Sequence, residues 1–342
     1  AVPVSAADEA ATSGTCGDNL SWTLDDGTLT ISGSGAMTDY DTSDSTPWYS
    51  SRTTIQSVVI EDGVTSVGDY AFFHCSNLTS ITIPDGVTNI GYRAFSYCSS
   101  LSSVTIPNSV TSIGGYAFLN CTRLTSITIP EGVRSIYQYA FSGCTGLTSI
   151  TIPASVTYIS NTPFSGCSLQ SITVAEENQN YCAEDGVLFN KDKTYLYVYS
   201  GGNGRGEYQI PDSVTTIGTE AFKDCTSLAC VTIPDSVTTI CQNAFYGCSG
   251  LTSVTIPESV TTIEDDTFSG CSSLAGVTIP DSVTTIGRSA FSGCKSLTGV
   301  VIPEGVTTIG EYAFACCSSL TSVDLPEGIT SINNRFDSFT ET

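Results

Sequence analysis

The sequence predicts a mostly β solenoid, a stack of coils made of short strands and short helical turns. Three observations predict it. Proline recurs every 23 residues, at Pro84, Pro107, Pro130 and Pro153 and again from Pro211 through Pro234, Pro257, Pro280, Pro303 and Pro326. Every period carries the same alternating apolar frame, LTSITIPDSVTTIGxxAFxGCxS. One period has too few apolar side chains to close a core of its own, so successive periods must stack.

Within a period each element has a local reason. Leu101, Val104 and Ile106 alternate with polar residues and read as a strand with one inward face. Pro107 then stops the strand. Elsewhere the slot reads Pro-Asp-Ser or Pro-Asp-Gly, a turn in which Pro fixes φ and Asp is expected to bond backbone amides. Val110 and Ile113 form a second apolar pair, and Gly114 marks the next corner. Ala117, Phe118 and Cys121 follow as a short helical or 3₁₀ turn that fills the interior. Burying each large apolar side chain contributes about 1.5–3 kcal/mol, which strongly favours stacking.

The chain divides into five segments. Residues 1–15 read as a signal-peptide remnant and disordered linker, with small residues Val4 and Ala6 at the −3 and −1 positions of a cleavage site. Residues 16–56 read as an N-terminal β capping module. Trp22-Thr23-Leu24 and Leu29-Thr30-Ile31 are its strands, joined by a turn at Asp25-Asp26-Gly27. Trp22 and Trp48 would form its core, the other use of such rings being to stack on sugars. Repeats fill 57–174. A variant repeat at 175–210 contains a hairpin, Val187–Phe189 and Thr194–Tyr199, and residues 211–342 hold further repeats ending in an incomplete one.

The charge balance excludes several functions. There are 34 acidic and 11 basic residues, a formal net charge of −23. Such a chain repels nucleic-acid phosphates and anionic membrane surfaces. No apolar run reaches the roughly 18–20 residues that span a bilayer. The one histidine, His74, reads as an exposed loop residue. The carboxylates Glu264, Asp265 and Asp266 lie on a loop and not across a cleft. Acidic residues follow most of the prolines, for example Asp212, Asp235, Glu258 and Asp281, but one carboxylate per turn does not supply the six to eight oxygens calcium needs. We therefore expect no enzyme activity, catalytic residue, metal or cofactor. Ten of the 15 cysteines share one slot, Cys75 through Cys317, and read as a ladder of buried free thiols. Cys16, Cys182, Cys230, Cys241 and Cys316 lie off it.

Tyrosines are the candidate partner-binding residues, because Tyr, Trp and Arg dominate binding hot spots. Tyr195, Tyr197 and Tyr199 share one strand face by the two-residue period. Tyr70, Tyr116 and Tyr139 occupy one slot before the Ala-Phe pair, with Tyr92 beside it. The alternative is that these rings pack over neighbouring turns as a structural shell.

The L-x-x-L-x-L frame followed by V-x-x-I-x-x-x-A-F-x-x-C resembles the BspA-like class of bacterial leucine-rich repeats, over about Ser57 to Asn333. The segment CGDNLSWTLDDGTLTISGSGAM with TPWYS is similar to the lead-in module of such proteins. The resemblance implies a right-handed leucine-rich-repeat solenoid with an N-terminal β cap. It also implies a secreted or cell-surface, non-enzymatic interaction protein; we expect it to mediate adhesion to a protein or mucin-like extracellular ligand, as a monomer and without membrane insertion. The alternatives are a structural spacer of a larger surface protein and, third, a glycan-binding module.

Overall fold

A computed structural model of the chain describes residues 11–332 and divides into two compact units, Ala1–Cys167 and Ser168–Thr342. The expected cleavage-site residues Val4 and Ala6 lie outside the described residues. Among those described there is no α-helix, and strands alternate with turns throughout.

The first unit opens with an antiparallel meander, Ser13–Gly17, Leu20–Asp25 and Thr28–Gly33. The first of these strands begins at Ser13, inside the segment expected to be linker. Asp26 and Gly27 both have positive φ, as a two-residue primed hairpin turn requires. The third strand then runs parallel to Ser57–Ile60, which pairs in turn with Ser80–Thr82. The meander thus converts directly into the first column of parallel strands. Trp22 and Trp48 are fully buried with ring centroids 5.7 Å apart, so they are core and present no face to a sugar.

In each coil the Leu-x-x-Ile frame forms one strand column and the Val-x-x-Ile frame a second. Across the second column, Asn89–Ile90, Ser112–Ile113 and Ser135–Ile136 pair in register 23 residues apart. Thr88 and Thr111 reinforce this column by donating Oγ1 to the carbonyl of the preceding coil. The turn after Pro107 is closed by the Val110 amide donating to the Pro107 carbonyl, and Ser109 Oγ donates back to Val87 of the coil before. In this slot Glu131 Oε2 accepts the Ser155 amide at 3.4 Å, but three of the aspartates do not take the expected role. Asp212, Asp235 and Asp281 are exposed, and their carboxylates make no hydrogen bond among the described residues.

The expected helical turn takes a specific form. The amides of Ala94, Ser96 and Cys98 donate three residues back, to Gly91, Arg93 and Phe95. The amides between them, of Arg93, Phe95 and Tyr97, donate to Gly115, Ala117 and Leu119 of the next coil. Alternate amides therefore close turns and join coils. The geometry places two left-handed residues in the segment, here Arg93 and Tyr97. The second slot is filled by Gly143, Gly247, Gly270 and Gly293 in other coils, where left-handed φ carries no steric penalty.

Two ladders fill the interior. In the first unit Trp48, Phe72, Phe95, Phe118, Phe141 and Phe164 stack at 5.2–5.9 Å. In the second, Phe222, Phe245, Phe268, Phe291 and Phe314 stack at 4.8–5.4 Å. Beside them the ladder cysteines are free thiols, and eight of the ten donate Sγ to a phenylalanine carbonyl of the preceding coil, as Cys121 does to Phe95 at 3.2 Å. Burial pushes the Cys121 and Cys167 thiols up to about 12.

The second unit contains the variant repeat. Tyr181–Glu184, Val187–Asn190 and Tyr195–Tyr199 form an antiparallel three-stranded element, one strand more than the expected hairpin. Tyr195–Tyr199 then pairs in parallel with Thr216–Ile217. Its last strand therefore serves as the second-column strand of a normal coil.

Two predictions follow from the ladders. Phe118→Ala removes a fully buried ring that stacks on both sides. It should cost about 3–5 kcal/mol, whereas exposed Ser126→Ala should stay within about 0.5 kcal/mol. Equal denaturation midpoints for the two variants would contradict the ladder as the source of stability. Only thiolates react quickly, and the ladder thiols remain protonated and enclosed at neutral pH. Maleimide labelling of the native chain should therefore map to the exposed Cys230 and Cys316. Comparable labelling of Cys121 would show that the ladder is open to solvent.

Candidate interaction surfaces

The four repeat tyrosines of the first unit converge. Tyr70, Tyr116 and Tyr139 sit at the first left-handed position of their turn segments, which aims each ring out of the coil. In the intervening coil that position is Arg93, and Tyr92 precedes it. The row is nonetheless unbroken. Centroids lie 5.5 Å apart for Tyr70–Tyr92, 5.5 Å for Tyr92–Tyr116 and 5.0 Å for Tyr116–Tyr139. All four are half-buried.

Three residues not singled out from the sequence as binding candidates widen the row. Phe73 lies 5.6 Å from Tyr70 and 5.6 Å from Tyr97, and His74 stacks on Tyr97 at 4.4 Å. His74 is exposed, and burial together with the nearby Arg52 charge holds its pKa below the usual histidine value. It therefore presents a largely neutral imidazole at neutral pH. Arg93 is the fourth addition. Its Nε donates to Tyr92 Oη at 3.0 Å, and its guanidinium lies 4.6 Å from the Tyr116 ring centroid and 5.3 Å from that of Tyr92.

The three hairpin tyrosines do not share a face. The ladder pairs Leu188 with Val198 and Phe189 with Leu196, so Tyr197 is a bulged residue. A bulge adds one residue and reverses the alternation beyond it. Leu196 and Tyr199 both enter the core as a result. Tyr199 is 4% exposed and stacks on Phe222 at 5.0 Å, and its amide donates to Ala221 as the Phe72, Phe95 and Phe118 amides donate to the Ala of the next coil. It is the phenylalanine-ladder member of the variant coil, which removes it from the contact candidates. Tyr195 and Tyr197 are half-buried with centroids 4.4 Å apart, and burial raises the Tyr195 hydroxyl pKa, with Cys241 as a neighbour.

The remaining polar candidates have structural surroundings. Asp265 Oδ1 accepts the Arg288 amide at 2.6 Å, as Asp69 Oδ1 accepts that of Tyr92. Asp266 is shifted up by burial and by the Asp265 charge. Among the described residues no group of three or more His, Cys, Asp and Glu side chains is arranged to hold a metal ion. No helix among them is long and apolar enough to cross a membrane.

Comparison with known proteins agrees with this architecture. The family model described as a BspA type leucine rich repeat region matches residues 47–170, 120–183, 197–276 and 238–340. A leucine rich cell surface protein from Faecalibacterium prausnitzii is similar at 30% identity, covering 98% of this chain and 99% of that one, with a TM-score of 0.73. A leucine-rich repeat protein from Eubacterium ventriosum is 28% identical over 94% of this chain and 93% of its own, also at 0.73. The pneumococcal vaccine antigen PcpA shares the fold at 19% identity, with coverage of 92% and 91% and a TM-score of 0.74. No curated protein matches the chain. A family model that spans most of the sequence, joined to the coil geometry above, means that the chain belongs to the BspA-type leucine-rich-repeat family.

Proposed function

We propose that this is a secreted or cell-surface, non-enzymatic binding protein, and that the tyrosine row of the first unit is its contact face for a protein or mucin-like extracellular ligand. One observation carries the reading. Tyr70, Tyr92, Tyr116 and Tyr139 form one continuous half-exposed strip across successive coils, and Phe73, His74 and Tyr97 extend it. Aromatic rings supply large contact area at small entropic cost, and they are held here before any partner arrives. The surface location is supported by the Faecalibacterium relative, which is described as a cell surface protein. The half-buried pair Tyr195 and Tyr197 is a lesser candidate, since it offers two rings.

The test is binding of the purified chain to a panel of matrix proteins and mucins at physiological salt. Saturable binding should weaken at least tenfold in a Tyr92→Ser, Tyr116→Ser, Tyr139→Ser variant whose circular dichroism is unchanged. A Tyr197→Ser variant should bind nearly as the parent does. Binding that survives the triple change would move the contact face elsewhere, and no saturable binding to any ligand would favour the spacer role.

A further inference from the structure

Arg93 stands apart from the other arginines and lysines among the described residues. Lys193, Arg205 and Lys223 each pair with a carboxylate. Arg52 donates Nη1 to the Tyr49 carbonyl, and Arg123, Arg134 and Arg288 are exposed. Arg93 is half-buried, and the one hydrogen bond of its side chain among the described residues is from Nε to Tyr92 Oη. Among the described residues neither Nη group has a hydrogen-bond partner and no carboxylate lies within ion-pairing distance of Arg93. The guanidinium is instead held over the Tyr116 and Tyr92 rings.

Resting on the reading of the tyrosine row as a contact face, we propose that Arg93 with Tyr92 and Tyr116 forms a subsite for a carboxylate-bearing sugar within an otherwise neutral glycan. The guanidinium fork matches a carboxylate in bidentate fashion, and cation–π contact with two rings fixes its orientation in advance. The flanking tyrosines offer aromatic surface to the C–H face of a pyranose ring. The net charge of −23 decides the density of charge on that ligand. A polyanionic polysaccharide is strongly repelled at long range, whereas an isolated carboxylate among neutral sugars is repelled far less, because the repulsion scales with the ligand's charge.

The test compares sialyllactose with lactose by titration against the whole chain, for the parent, Arg93→Gln and Arg93→Lys. The parent should bind sialyllactose at least tenfold more tightly than lactose. Arg93→Gln should erase that ratio, and Arg93→Lys should leave a reduced one, because it keeps the charge and loses the fork. Equal affinity for the two sugars, no binding of either, or a ratio unchanged in Arg93→Gln overturns the proposal. A parallel arm uses mucin before and after sialidase treatment. Binding insensitive to sialidase yet lost in the triple tyrosine variant overturns the Arg93 subsite and leaves the contact-face reading standing. Binding lost on both treatments supports the two together.

Discussion

The structure depends on register between consecutive coils. Every second amide of the turn segment donates to the next coil, so a coil has no complete hydrogen-bond set of its own. The interior repeats that dependence with side chains. A phenylalanine ring lies on the ring of the coil before, and a ladder thiol donates to that coil's phenylalanine carbonyl. A shift of one residue would place a polar neighbour against each of these groups, because inward and outward positions alternate along the strands. The 23-residue period is therefore a packing constraint, and the constant Phe and Cys slots are its consequence. Where the stack begins, Trp48 supplies the missing ring, and its indole N–H donates to Ala71 at 2.8 Å.

The same constraint explains what was readable from the sequence. Any feature repeated in each coil announces itself by its spacing, so both ladders, both strand columns and the corner turns could be located from the apolar frame. Tyr199 could not. Its assignment to a face with Tyr195 and Tyr197 followed the strand period correctly, but the bulge at Tyr197 has no signature in residue type. The signal was in the inter-coil arithmetic. Tyr199 lies 23 residues before Phe222, in the aromatic slot, and that spacing outweighs the local alternation. Arg93 escaped notice for a related reason. Its chemistry comes from Tyr116, 23 residues away, and a scan for nearby partners along the chain does not find it.

The acidic slot after the proline shows the opposite failure, where a sound local rule gave the wrong role. Asp in a Pro-Asp turn often bonds the backbone two residues on. Here the turn is closed by the backbone itself, and the neighbouring serine donates to the preceding coil, as Ser236 does to Val214 at 2.8 Å. The carboxylates of Asp212, Asp235 and Asp281 are left pointing to solvent. Their repetition at the coil spacing is mildly repulsive, so they do not stabilise the stack. They contribute to the net charge of −23, whose long-range field discourages dense anions.

This field and the tyrosine row act at different ranges, and the distinction bears on how a repeat protein acquires a site. A solenoid built from identical coils presents a uniform surface, and the Thr and Ser positions of the strand columns are such a surface. A site arises where one coil differs while keeping register. In the second regular coil the left-handed position holds Arg93 in place of tyrosine, and the aromatic ring moves back by one residue to Tyr92. The ring-to-ring spacing survives at 5.5 Å on both sides, so the change costs the row nothing. It inserts one charge between rings, where exposure to water is reduced and a charge-assisted hydrogen bond is stronger than at the open surface. The departure is conservative in packing and large in chemistry, and this pairing distinguishes a candidate site from ordinary drift in the repeat.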